Sequence, residues 1–314
     1  MSADRAAPVV RLRGLRKRFN ECLALAGLDL ELRGTQIVGV VGPDGAGKTT
    51  LLRTLAGLLE IEATEATVLG HDLRGDVRPL KRELGYVPQA FSLHRELSVA
   101  ENLRFTARLH HIPAATFATR SARLLERTGL SPFTDRPAGA LSGGMKQKLA
   151  IINALLPEPR LLLLDEPTAG VDVVARAEIW SMLAERSRDM LIVISTSYLD
   201  EAAACERLVY LDDGRLVADG TPAQLRASVD LELYRAWGHD PRGIARRARR
   251  LDYVAASHAS GGCTRVEVRR SHSPGPAHVL QDLAALRGAG VTMVEELAVD
   301  MEATLLALAR RSAP

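Results

Sequence analysis

Residues 37–50 constrain this chain more than any other stretch. Ile37-Val38-Gly39-Val40-Val41 is a β-branched apolar run of strand length, and Leu51-Leu52-Arg53-Thr54-Leu55-Ala56 has helical spacing. Between them stand Gly42, Pro43, Asp44, Gly45, Ala46, Gly47, Lys48, Thr49 and Thr50, which fill the pattern G-x-x-x-x-G-K-S/T. Strand, glycine turn and helix N-terminus in that order turn backbone N–H groups and the positive end of a helix dipole toward an anion. In such a loop Lys48 would reach the β- and γ-phosphates of a nucleoside triphosphate, and the Thr49 hydroxyl would ligate Mg2+. A glycine-rich turn can match by chance, but here the flanking strand and helix are also present. The expectation is a triphosphate-binding protein.

Two further stretches narrow the kind. Arg160-Leu161-Leu162-Leu163-Leu164-Asp165-Glu166 is a continuous apolar run ending in two carboxylates. It suits a parallel strand buried on both faces, with the acids at the carboxyl end where open α/β sheets hold their ligands. There Asp165 can hold Mg2+ through water, and Glu166 can polarise an attacking water. Upstream, Leu141-Ser142-Gly143-Gly144-Met145-Lys146-Gln147 opens a second helix with a serine and two glycines, a second anion-binding N-terminus. One nucleotide does not need two cradles from one chain. The second makes sense if it faces a nucleotide held by another subunit.

With these motifs in order, the chain resembles the ATP-binding cassette (ABC) family from about residue 9 to residue 221. Gly42–Thr50 matches its Walker A loop, 141–144 its signature, 161–166 its Walker B strand and 167–172 its D-loop. Gln89 stands where the family has its Q-loop glutamine, and Phe19 where an aromatic stacks on adenine. The resemblance implies an α/β P-loop NTPase core with ATP and Mg2+ as cofactors. Glu166, Gln89 and the residue at the switch-histidine position are its catalytic set, and Thr49, Gln89 and Asp165 its metal ligands. It also implies that Ser142, Gly143 and Gly144 contact nucleotide across a dimer of cassettes.

That switch position departs from the family. After the apolar run 191–194 comes Ser195-Thr196-Ser197-Tyr198-Leu199-Asp200-Glu201-Ala202, with Ser197 where the family normally carries histidine. Serine has no positive charge and a shorter reach, so it is expected to bridge only through a water. None of the eight histidines is an obvious substitute. The wording around Ser197, with the Walker A and Met145-bearing signature sequences, resembles the first, histidine-lacking cassette of tandem-cassette ATPases in drug exporters of the ABC-2 type. That implies an integral membrane permease and a second, histidine-bearing cassette as partners, with a homodimer as the other arrangement. Asp44 stands where Asn or Ser is commoner, and its side chain is expected to point away from the phosphates.

Composition agrees. The 46% hydrophobic content of 314 residues is ample for a core. The longest apolar stretches, around 161–164 and 190–194, are far too short to span a bilayer. Residues 2–7 are polar and show no signal pattern, and three widely spaced cysteines suggest free thiols. A net charge of +3 is too slight to imply nucleic acid. A cytoplasmic protein, peripheral on the inner face of the cell membrane, is expected.

The nucleotide-binding domain is expected over 8–222. Its strands are near 9–13, 28–32, 37–41, 161–164, 191–195, 208–211 and 215–218, with a hairpin turn at Asp213-Gly214. A helical insert is expected over about 90–157. Its first helix starts at the capping-box pattern Ser98-Val99-Ala100-Glu101 and turns Leu103, Ala107 and Leu109 to one face. A small α/β accessory domain is expected over 229–314, with strands at 231–234, 266–268 and 291–294 and helices at 244–251, 278–287 and 301–310. Arg242, Arg246, Arg247, Arg249 and Arg250 could touch anionic lipid headgroups, although a solvated helix face is the commoner use of such a run. Functionally, the sequence points to the ATP-hydrolysing subunit of an export transporter. The alternative is a soluble ABC ATPase acting on ribosomes or DNA. Such proteins typically carry paired cassettes or long coiled coils, and neither is seen here.

Overall fold

Strands that stay apolar until their last residue organise the N-terminal unit. Every residue of β7 (Leu161–Asp165) and β8 (Leu191–Ser195) is buried, as is all of β3 (Gln36–Val41) after its first residue. Burying each leucine or isoleucine contributes about 1.5–3 kcal/mol, so such runs fix the centre of a sheet. The computed structural model describes residues 8–286 and 290–312; stretch 2–7 and Arg287, the expected end of a helix, lie outside them. The chain folds as two compact units, the first ending at Thr221 and the second beginning at Pro222.

In the first unit, β6 (Leu84–Val87), β9 (Arg207–Asp212) and β10 (Arg215–Gly220) complete a six-stranded sheet in the order β10-β9-β3-β8-β7-β6. All its pairings are parallel except β9 with β10. Parallel strands end on one edge, and the register sets Val40 beside Ser195 and Ser195 beside Asp165. The loop after β3 therefore meets the two acids that follow from β7.

A second, antiparallel sheet has the order β2-β1-β4-β5, from β1 (Val10–Phe19), β2 (Cys22–Leu32), β4 (Glu65–Val68) and β5 (His71–Asp72). α1 (Lys48–Leu55) buries Leu51, Leu52 and Leu55 in one core with Leu12, Leu28 and Leu30 of this sheet and Val38, Leu163 and Val193 of the other. β1 and β2 are longer than the runs expected at 9–13 and 28–32, and β4, β5, β6 and the four-residue helix α2 (Leu80–Glu83) were not expected.

The insert holds α3 (Val99–Leu109), α4 (Ala114–Thr128) and α5 (Gly143–Leu155), followed after β7 by α6 (Val173–Arg186) and after β8 by α7 (Leu199–Ala204). The capping box forms: Ser98 Oγ accepts from the Glu101 N–H at 3.2 Å, and Glu101 Oε2 accepts from the Ser98 N–H at 2.8 Å. The expected apolar face needs one correction. Leu103 and Ala107, one turn apart, are buried, but Leu109 is 67% exposed. Position 109 lies two residues past 107, about 200° around the helix, and so faces away.

The second unit contains α8 (Pro222–Ser228), β11 (Glu232–Gly238), α9 (Pro241–Ala248), β12 (Val254–Ser260), β13 (Cys263–Val268), α10 (Pro276–Ala285), β14 (Val291–Leu297) and α11 (Met301–Ser312). Its sheet is antiparallel, ordered β12-β13-β11-β14. Tyr234, Val266, Val268, Val279 and Leu283 form its core with Ala248 of α9. β12 and α8 were not expected.

Candidate phosphate-binding and catalytic site

The loop between β3 and α1 closes around its own lysine. Gly47 caps α1 in the left-handed conformation at φ 101°, and a Cβ there would lie 2.6 Å from the Ala24 carbonyl oxygen, so only glycine fits. Lys48 is 6% exposed, and its Nζ donates to the carbonyls of Gly42 at 2.8 Å and Pro43 at 3.1 Å. These are the bonds a buried ammonium makes to chain oxygens, and phosphate oxygens could take their place. A cleft of about 300 Å3 opens at the loop, lined by Asp44–Thr50 together with Cys22–Ala24, Gln89, Glu166 and Asp213. Asp44 was expected to point away from the phosphates; its side chain is fully exposed, but it lines the cleft and its Oδ1 stands 3.9 Å from Lys48 Nζ, the limit of an ion pair. The hairpin turn is tied in, because the Gly214 N–H donates to Ala46 O and the Ala26 N–H to Gly214 O.

The two acids after β7 are held by different means. Asp165 is fully buried, and its Oδ1 accepts from Thr49 Oγ1 at 3.0 Å and Ser195 Oγ at 2.7 Å. Its Oδ2 is buried without any partner. An orphaned carboxylate oxygen costs desolvation without return. Beside the Thr49 hydroxyl it is the donor set a hard divalent cation would satisfy, directly or through water. Glu166 adopts φ 48°, a strained left-handed conformation for a non-glycine residue. It is pinned there by its N–H, which donates to Ser195 Oγ at 2.9 Å and to Ser195 O at 3.2 Å. Both of its carboxylate oxygens are engaged: Oε2 accepts from Gln89 Nε2 at 2.9 Å, and Oε1 from Ser197 Oγ at 3.3 Å. Ser197 thus reaches Glu166 directly, where a water bridge was expected. Gln89 gives its amide nitrogen to Glu166, which leaves its amide oxygen to offer a metal.

Other sequence-selected residues lie apart from this cleft. Phe19 is exposed at the tip of the β1–β2 hairpin, under the Lys17 ammonium at 5.1 Å; its cross-strand neighbour Cys22, and not Phe19, lines the cleft. Ser142 caps α5, its Oγ accepting from the Met145 N–H at 3.3 Å. Ser142 and Gly143 are exposed, while a Cβ on Gly144 would come 2.7 Å from Ala175 Cβ of α6. None of the three lines the Lys48 cleft.

Sequence reasoning missed two features. Ser195 links Asp165 to the Glu166 backbone; its signal was a hydroxyl ending an otherwise apolar strand. Glu201, 2% exposed, accepts from Thr168 Oγ1 and Thr196 Oγ1, both at 2.5 Å. The Arg176 guanidinium lies 3.7 Å from Glu201 Oε1 and 4.1 Å from the centre of the Tyr198 ring. This buried carboxylate ties the loop after Glu166 to the loop bearing Ser197.

Comparison with known proteins agrees with this geometry. Residues 25–169 match the family model described as ABC transporter. The chain is 42% identical over 271 residues to the probable multidrug ABC transporter ATP-binding protein YbhF of Escherichia coli, covering 85% of this chain and 47% of that protein, so it spans about half of YbhF's length. It is 36% identical to the Nod factor export ATP-binding protein I of Ralstonia nicotianae, covering 75% of this chain and 74% of that protein. Among solved structures, a dimeric post-hydrolysis state of an ATP-binding cassette bound to ADP and Pi superposes with a TM-score of 0.63 at 25% identity, covering 68% of this chain and 98% of that one. Among the described residues no helix is long and apolar enough to cross a membrane. Identity at this level, sustained over nearly three quarters of a relative's length, exceeds what a shared phosphate loop would produce: the chain belongs to the ABC transporter family.

Proposed function

We propose that the chain is the ATP-binding and hydrolysing subunit of an ABC-2 type exporter, working with a separate integral membrane permease and a second cassette. The observation that carries the reading is Glu166, held by Gln89 and Ser197 at the mouth of the Lys48 cleft. The export role draws on the names of the multidrug and Nod factor relatives.

In this reading the triphosphate lies along Gly42–Thr50, and Lys48 exchanges two backbone carbonyls for β- and γ-phosphate oxygens. Thr49, Asp165 and Gln89 would hold Mg2+, which supplies charge neutralisation at the transferring phosphoryl group. Glu166 orients the attacking water, and its strained, doubly tethered position limits where that water can sit. Ser197 fixes one oxygen of Glu166 but brings no cation to the γ-phosphate. The Lys48 site therefore turns over slowly and acts mainly as a clamp. Ser142–Gly144, outside this cleft, complete the site of a histidine-bearing second cassette; that cassettes can pair at all has a precedent in the dimeric state of the solved relative.

The test is ATP turnover by the purified chain. Positioning and acid–base groups are worth on the order of 10²–10⁴ in rate. The chain alone is expected to be a weak ATPase, and Ser197→His is expected to raise its rate at least tenfold. Robust turnover unchanged by Ser197→His would refute the degenerate site, and co-purification with ribosomes or DNA in place of a permease would refute the transport role.

A further inference from the structure

We propose that the C-terminal unit carries a binding site for a phosphate-bearing ligand, formed by Arg246, Arg247 and Arg250 of the α9 region over an apolar floor of Leu251 and Leu286. These side chains line one cleft of about 550 Å3. Helical spacing brings them together: 243, 246, 247 and 250 fall three or four residues apart on one face. The opposite face of α9 is committed to the core, with Ile244, Ala245 and Ala248 buried. The arginines cannot rotate inward, so the fold holds them on the cleft side.

The cleft lacks the anions to match. Asp240 is its one lining carboxylate. Its Oδ1 caps α9 by accepting from the Gly243 N–H at 2.9 Å, and its Oδ2 stands 3.9 Å from Arg246, the limit of an ion pair. Among the described residues, neither Arg247 nor Arg250 has a carboxylate within ion-pair distance. Elsewhere in the unit, Arg235 pairs with Glu295, Arg265 with Asp300 and Arg310 with Glu267. The charge balance points the same way. Residues 222–314 hold thirteen arginines, no lysine and ten carboxylates, so this unit carries the whole +3 of the chain.

Three guanidiniums gathered in one cleft repel one another, and a phosphate relieves the repulsion while accepting bidentate hydrogen bonds. The half-buried Leu251 and Leu286 give the cleft room and surface for the apolar part of a phosphate ester. The shared chemistry fits a phospholipid headgroup or a free phosphate compound.

The full chain is tested against vesicles of phosphatidylglycerol, vesicles of phosphatidylcholine, and soluble pyrophosphate. The combined variant Arg246→Gln, Arg247→Gln, Arg250→Gln is compared with Arg242→Gln, which removes a neighbouring charge outside the cleft. The phosphate loop contributes equally in all variants, so the difference reads the C-terminal cleft; unchanged circular dichroism and ATP binding establish that each variant folds. A tenfold or larger loss of phosphatidylglycerol binding in the triple variant alone supports the site with a lipid source. The same loss for pyrophosphate, with vesicles indifferent, supports it with a soluble source. An equal loss in Arg242→Gln, which marks diffuse charge, or no loss in either arm overturns it.

Discussion

Two helix N-termini in the N-terminal unit have glycine at the cap or the first residue and could each face an anion, yet they are finished differently. At α1 no side chain caps the helix; the cap is Gly47, the first residue is a buried lysine, and a cleft lined by Gln89 and Glu166 opens beside it. At α5 the cap is Ser142, which already accepts a hydrogen bond from its own helix, and Ser142 and Gly143 are open to solvent. The first is a site with its own walls. In the proposed pairing the second would be one wall of a site, and it is constrained from behind at Gly144, where a Cβ would come 2.7 Å from Ala175 Cβ. With two cassettes paired in this way, an anion at α5 would arrive bound to the other chain.

The contrast breaks most sharply under substitution at the two ends. Lys48→Ala removes two charge-assisted hydrogen bonds worth roughly 1.5–3 kcal/mol each, so ATP affinity should fall on the order of 10²–10⁴-fold, measured by fluorescent-nucleotide titration. Ser142→Arg should leave that affinity unchanged in the isolated chain and still abolish turnover of the assembled transporter. Equal loss of affinity in both variants would mean that the two N-termini serve one nucleotide. Glu166→Gln should keep ATP binding and cut the turnover of this site on the order of 10²–10⁴-fold, and in an asymmetric pair it should harm transport less than Ser142→Arg does.

How much of this was legible in the sequence follows from burial. β7 and β8 could be read directly because both faces are buried, which forces an unbroken apolar run, and the phosphate loop because its glycines and lysine are chemically irreplaceable. β12 could not: it is an edge strand of small, half-exposed residues, Val254-Ala255-Ala256-Ser257-His258-Ala259-Ser260, with no alternation to follow. Glu201 was illegible for the opposite reason. Asp200 and Glu201 are adjacent acids in one short helix, and only the tertiary fold leaves one 72% exposed and the other 2%. Patterns report faces; they do not report which of two neighbouring charges the core has accepted.

That buried acid offers a smaller perturbation that sharpens the comparison from the α1 side. Glu201→Ala would strand the hydroxyls of Thr168 and Thr196, both buried. At roughly 1–3 kcal/mol for each unsatisfied group, the loss is about 2–6 kcal/mol, or a fall in Tm of roughly 5–20 °C for a domain of this size. Because Glu201 ties together the loops that follow Glu166 and Ser195, turnover should fall further than ATP affinity. Glu201→Gln, which can still accept from one threonine, should recover part of both. A lowered Tm with turnover intact would mean that the two loops hold their places without this carboxylate.

The smallest expected effect maps which N-terminus an isolated chain can fill. Cys22 is exposed and lines the Lys48 cleft, whereas Cys205 is buried, and burial pushes its thiol up to about 12. At pH 8 the Cys205 thiol is therefore protonated as well as inaccessible, so iodoacetamide should leave it untouched while Cys22 reacts. Adding ATP and Mg2+ should slow the alkylation of Cys22 several-fold by occupying the cleft. In a Ser142→Cys variant, the thiol placed at the head of α5 should react at the same rate with and without nucleotide while the chain is monomeric. It should become protected only once a second cassette is added. Protection at both positions in the monomer would mean that α1 and α5 already share one nucleotide within a single chain, and the division into a complete cleft and a lone wall would fall.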